Sequence, residues 1–230
     1  MNYLDEGYYY RVYELDENRV FKKFQPYWFS FRKIFAYNRK HGQTFFKALI
    51  GAHKARLREA NALKSIKEKL KEIPTALFAN PAFADNLDYS QDKVAIVDDL
   101  LAKNDFEQNK KIIDQYIEFQ KILWSYGMHD KTYKLQPNYG VDKNGQLVCI
   151  DFGEFAFTKE EALKNIQGKK RLARNTYKNW SDQPLKDYYT RCMEEVMKEE
   201  VLNQCWGSLS INNLNLYGKL YFLQNRKRGN

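Results

Sequence analysis

This sequence predicts an α+β chain. Alternating apolar positions open it, two long stretches with helical apolar spacing follow, and residues 127–157 return to strand, turn and strand. Those 31 residues, the most informative in the chain, also contain Asp151-Phe152-Gly153.

The elements follow in order. Tyr8, Tyr10 and Val12 alternate, Glu14-Leu15-Asp16-Glu17-Asn18 reads as a turn, and Val20, Lys22 and Phe24 alternate again. Two strands fit this pattern, with Gly7 opening the first. Residues 25–51 are aromatic and basic: Trp28, Phe29, Phe31, Phe35, Tyr37, Phe45 and Phe46 stand among Arg32, Lys33, Arg39, Lys40 and Lys47. Residues 52–72 read as a long helix with a stripe of Leu57, Ala60, Leu63, Ile66 and Leu70, ended by Pro74. Lys93–Val97 reads as a short buried strand running into Asp98-Asp99. A second helix is expected over about 105–126, with Ile112, Ile113, Tyr116, Phe119, Ile122 and Leu123 inward. From Lys159 onward the chain reads as mostly helical and charged, and Leu202–Leu223 is Asn-rich and ambiguous.

The 230 residues are 43% hydrophobic and 16% aromatic, which excludes a disordered chain and supplies a real core. Thirty-eight Lys and Arg against 29 Asp and Glu give +9 at pH 7, a balance that favours an anionic partner. Cys149, Cys192 and Cys205 are widely spaced with no Cys-x-x-Cys pair, which argues against a metal knuckle and suits a reducing compartment. The first residues carry no signal-peptide pattern and no apolar run is long enough to span a bilayer. A cytoplasmic location is therefore expected, with peripheral contact at the inner membrane face as an extension of it.

Asn138 and Asp151 stand thirteen residues apart across the turn Asp142-Lys143-Asn144-Gly145. An amide and a carboxylate held at fixed separation are hard oxygen ligands of the kind Mg²⁺ takes together with phosphate. Gly153 would let the chain turn away after Asp151. Lys22 shares a strand face with Val20, so one could reach phosphates while the other packs on a base; Lys23 is the rival. Glu59, in Arg56-Leu57-Arg58-Glu59-Ala60, could hold that ammonium or pair on the helix surface. His129-Asp130 leaves two readings open, a carboxylate at an acceptor hydroxyl or a loop-capping residue. His129 could brace the Asp-Phe-Gly segment or be a core histidine. Gly7 stands alone before three tyrosines, a poor phosphate loop. The aromatic and basic stretch admits a membrane surface, a nucleic acid or a solvated insertion. Lys169-Lys170-Arg171 with Arg174 form a second basic cluster, either an anionic-substrate site or a solvated face.

Taken together, Gly7, Val12, Val20-Phe21-Lys22, Ala55–Glu59, Lys93–Val97, Asn138 and Ile150–Gly153 resemble the protein-kinase-like superfamily in a short bacterial form. Within it the chain is similar to lipopolysaccharide-core sugar kinases and to the kinase-like family named for the PhoP regulatory network. The resemblance covers roughly residues 3–157. It implies a bilobal fold: a small β-rich N-lobe over 1–99 with an aromatic and basic insertion at about 25–51, and a short helical C-lobe over 100–230 carrying the 127–157 hairpin. It implies ATP and Mg²⁺, with Gly7, Val20, Lys22, Glu59 and Asp98 at the nucleotide and Asn138 and Asp151 at the metal. Asp130 would complete the catalytic set. The activity implied is transfer of the γ-phosphoryl group to a hydroxyl on a sugar or lipopolysaccharide-type acceptor. A regulatory pseudokinase and a Ser/Thr protein kinase are the alternatives. The departure is Tyr133, five residues before Asn138, where the superfamily carries its catalytic Asp; Asp130 stands eight before.

Overall fold

The computed structural model describes residues 1–84, 86–168, 180 and 182–208. The basic cluster at 169–174 and most of the Asn-rich segment lie outside them. The chain divides into two compact units, one of 1–71, 75–95 and 140–154, the other of 72–74, 96–139 and 155–230.

The first unit is built on an antiparallel sheet in the order β1-β2-β3-β5-β4. Its strands are β1 Asn2–Glu6, β2 Tyr10–Glu14, β3 Arg19–Phe24, β4 Ala82–Phe83 and β5 Tyr89–Asp92. Register sets Val12 opposite Lys22 on one side of β3 and Tyr89 opposite Lys22 on the other. β1 is missing from the sequence expectation because its side chains lie at an exposed sheet edge and need no apolar alternation. Gly7 accordingly sits in the β1–β2 turn, where its N–H donates to the carbonyl of Tyr10 at 2.9 Å.

Two helices follow, α1 Tyr27–Lys40 and α2 Phe45–Lys69. The aromatic and basic stretch is thus helical, and the long helix starts seven residues earlier than expected and ends before Pro74. Pro26 precedes α1 with the fixed φ a helix start tolerates, and Gly42, at φ +79°, turns the chain after it. The inward stripe of α2 also differs from expectation. It runs through Ala48, Ala52, Arg56, Glu59, Ala62, Leu63 and Ile66, while Leu57 faces out. Two polar residues occupy buried positions, so a stripe drawn through apolar residues alone rotates away from the true one.

β6 covers only Ala95–Ile96, and α3 Val97–Lys103 begins at once with Asp98 and Asp99 in its first turn. Carboxylates there complement the positive helix end and end the strand early. β8 Tyr139–Val141 and β9 Leu147–Cys149 flank the expected turn, with Gly145 at φ +76° and Asp142 accepting from Asn144 N at 2.8 Å.

In the second unit α4 Phe106–Ser125 opens with a reciprocal cap between Asp105 and Gln108 and buries Ile112, Ile113, Tyr116, Phe119 and Leu123. It packs against the helices Gln183–Val196 and Glu199–Cys205. β7 His129–Asp130 pairs with β10 Phe155–Ala156, and the one-turn helix α5 Leu135–Asn138 follows β7. α6 Lys159–Gln167 is capped by Thr158, whose hydroxyl accepts from Glu161 N.

Candidate functional site

Four of the sequence-derived residues meet in the first unit. Lys22 projects from β3 and donates from Nζ to the carbonyl of Ile150 at 2.7 Å, one residue before Asp151. Its ammonium also lies 5.6 Å from the Tyr89 ring centroid. Neighbouring Lys23 is exposed, whereas Val20 is buried on the side that Lys22 shares. Desolvation pulls the Lys22 pKa below its ordinary value; the Asp151 charge is the largest influence in the other direction, and Glu59 adds to it. Glu59 thus acts on Lys22 through its charge. Burial, and after it the charges of Glu59 and Asp151, raises the phenol pKa of Tyr10.

The three residues of the Asp-Phe-Gly segment do three different jobs. Asp151 is exposed. Phe152 is fully buried and packs against Phe78 and Tyr89, with ring centroids 5.8 and 5.1 Å away. Gly153 lies in a turn as expected, and because its φ is outside the left-handed region the glycine is needed there for space. A Cβ there would overlap the carboxylate of Glu59. The glycine lets the backbone lie directly on that carboxylate.

Arg56 is the residue of this neighbourhood that the sequence reading missed. Its Nη2 donates to Gln25 O at 2.7 Å, its guanidinium stacks 3.5 Å from the Phe24 ring centroid, and Nε and Nη1 are buried without a hydrogen-bond partner. The signal available was the i, i+3 spacing of Arg56 and Glu59 with the apolar positions around them. Gly7 shows its carbonyl to Gln25 Nε2 at 2.9 Å, and its N–H is engaged with Tyr10. The amide a phosphate loop would offer is therefore used inside the turn.

In the second unit Asp130 is 3% exposed and both its oxygens are occupied. Oδ1 accepts from Thr132 N at 2.9 Å, Thr132 Oγ1 at 3.0 Å and Tyr133 N at 3.1 Å. Oδ2 accepts from Tyr139 Oη at 2.9 Å and Tyr116 Oη at 3.4 Å. These are the bonds of a loop-capping residue. They hold Tyr133 at φ +52°, a strained setting for an aromatic residue, with its side chain buried.

His129 is a core histidine. Trp124 Nε1 donates to its Nδ1 at 2.8 Å, which places the imidazole proton on Nε2, near Tyr133 Oη at 3.0 Å and Asn165 Oδ1 at 3.3 Å. Burial pushes its pKa below the usual value, against the hydrogen bond to Asn165 and the charge of Asp130. Asn138 is buried at the end of α5, and exposed Asp98 accepts from Gln136 Nε2 at 2.8 Å.

No protein family and no curated protein matches the chain. Solved structures of WbdD are similar to it at low identity. One, described as the bifunctional kinase-methyltransferase WbdD, is 17% identical over 95% of this chain and 47% of its own, with a TM-score of 0.43. Monomeric WbdD is 20% identical over 69% of this chain and 35% of its own, with a TM-score of 0.40. The chain thus spans half or less of the length of these structures.

Proposed function

We propose that the chain is an ATP-dependent phosphotransferase of protein-kinase-like, bilobal design that moves the γ-phosphoryl group to a hydroxyl on a sugar or lipopolysaccharide-type acceptor. One observation carries the reading. A desolvated lysine on the third strand, a glutamate on the following long helix and the Asp-Phe-Gly segment converge in one unit, with Lys22 bonded to Ile150 and Glu59 seated on Gly153. Protein kinases likewise carry their phosphate-binding lysine on the third strand and its glutamate on a helix that follows; here α1 stands between that strand and the helix α2 of Glu59.

The donor set fits a magnesium nucleotide: an exposed carboxylate at Asp151 lies within the electrostatic reach of a partly buried ammonium. Magnesium, when bound, would neutralise phosphate charge as it develops. Asp151 would hold the metal, with Asn138 the second ligand expected from spacing. Lys22 would bind phosphate oxygens, and a low-dielectric setting strengthens that attraction. Glu59 would keep the ammonium charged and aimed, and Val20 would pack on the base. Phosphoryl transfer passes through a loose transition state that asks mainly for positioning. Asp130 would serve it indirectly, by fixing the 130–133 loop.

A pseudokinase is the second reading, and specific observations favour it: the Gly7 amide is engaged, and Tyr133 is buried where the catalytic carboxylate is expected. Incubating the chain with ATP, Mg²⁺ and bacterial cell fractions, then tracing the phosphate, separates the two. Label in a saccharide fraction supports the transferase with its acceptor. Label on Ser or Thr of proteins replaces that acceptor, and nucleotide binding without any transfer supports the pseudokinase.

A further inference from the structure

The helices α1 and α2 of the first unit carry an apolar surface that the proposed chemistry does not use. Trp28, Phe31, Phe35, Phe45 and Phe46 touch ring to ring in sequence, with centroids 5.6, 6.3, 5.4 and 5.7 Å apart. The ridge is not core: Trp28 is 69% exposed and Phe46 73%. On α2 it continues through Ile50 and Leu57, both exposed and on the same helical face as Phe46. That face is opposite the buried line of Ala48, Ala52 and Arg56, so the first half of α2 carries two apolar stripes where a water-facing helix needs one. A contiguous exposed apolar surface of this kind marks an interaction site.

Charge selects the occupant. No Asp or Glu occurs from Asn18 to Arg58, although the chain holds 29 of them. The exposed cations Arg32 on α1 and Lys47 and Lys54 on α2 flank the ridge residues on their helices, and none forms an ion pair among the described residues. Aromatic and aliphatic side chains on one face with unpaired cations beside them are the pattern of a helix that lies in a bilayer interface. Among the described residues no helix is long and apolar enough to cross a membrane, so this surface would lie on a bilayer without spanning it.

We propose that the α1–α2 pair is a docking surface for anionic lipid bilayers. The Trp28–Phe46 ridge enters the acyl boundary while Arg32, Lys47 and Lys54 meet the phosphate headgroups. The proposal is independent of the phosphotransferase reading. A nucleic acid would use the cations and the exposed rings but leaves Ile50 and Leu57 without a role, since aliphatic side chains offer no flat ring on which bases stack.

Co-sedimentation of the full chain with vesicles of phosphatidylcholine, with and without phosphatidylglycerol, tests it. Binding should require the acidic lipid and weaken as salt rises. The triple variant R32Q, K47Q, K54Q should lose at least about tenfold in affinity, since each surface cation contributes separately. The matched variant K103Q, K111Q, K143Q, with the same change in net charge at exposed positions elsewhere, should bind as wild type. Wild-type tryptophan emission should shift to the blue on acidic vesicles, and W28F should remove the shift. Four results overturn the proposal: no preference for acidic vesicles, equal loss in both triple variants, displacement from vesicles by a single-stranded oligonucleotide bound more tightly, or self-association through the ridge without vesicle binding.

Discussion

The backbone of Gly153 lies against the carboxylate of Glu59, so closely that a single methyl group at position 153 would overlap it. A helix residue and a loop residue 94 positions apart are thereby fixed to one another, and Asp151 and Ile150, the partner of Lys22, share the same short segment.

Gly153→Ala should therefore push Glu59 away and destabilise the chain by about 1–3 kcal/mol, as overpacking does in a tight site. Glu59→Ala in the same chain should relieve most of that clash. Denaturant unfolding of the two single variants and the double variant should give a coupling energy well away from zero. Additive effects would show that the two residues do not share one space.

Lys22 should behave as a functional residue held at a cost to stability. Its pKa is depressed in the fold. The unfolded chain therefore holds more protons than the folded chain once pH exceeds the folded pKa, and stability should rise with pH from there up to the ordinary lysine value of 10.5. Lys22→Met, which removes the buried charge, should flatten that rise and leave the melting temperature at neutral pH equal or higher. Phosphate transfer should fall by ~10²–10³-fold, the usual loss when one preorganised electrostatic group is removed. A lower melting temperature with transfer intact would assign Lys22 to packing.

Asp130→Asn distinguishes a loop organiser from an acceptor base. The carboxylate accepts five hydrogen bonds from four residues, and an amide would set an NH₂ against one of those donors. Stability should drop by about 2–4 kcal/mol, since buried hydrogen bonds to a charged group are lost. A base would show the opposite split, an unchanged melting curve with turnover lowered ~10²–10⁴-fold.

His129 should make the fold acid-sensitive. Its pKa lies below 6.5 in the fold, so stability is full above that pH and is lost as pH falls from 6.5 through the folded value. The slope in that window is at most about 1.4 kcal/mol per pH unit for one group. His129→Gln should remove that contribution in melting curves taken across the window, while a slope unchanged from wild type would place the acid sensitivity elsewhere.

Much of the candidate site in the first unit was legible in the sequence because its signals are local. Alternation chose Lys22 over Lys23, and an apolar run delivered Asp151-Phe152-Gly153 at its end. What could not be read depends on distant partners. Arg56 is buried only because Phe24 and Gln25 receive it, so the inward stripe of α2 looked shifted. The need for glycine at 153 comes from Glu59 and not from its own dihedral. The surroundings of Asp130 come partly from Tyr116 and Tyr139, on a helix and a strand that alternation and helical spacing treat as ordinary core. β1 carried no pattern because it lies at an edge.

The central claim is that Lys22 and Asp151 form a magnesium-nucleotide site, and thermal unfolding with and without ATP and Mg²⁺ tests it most directly. A ligand that binds only the folded state at about a hundred times its Kd stabilises by ~2.7 kcal/mol. Wild type should therefore melt several degrees higher with ATP and Mg²⁺ together than with either alone, and Asp151→Asn should lose the part that depends on metal. A wild-type melting temperature indifferent to millimolar ATP with any divalent metal would contradict the account.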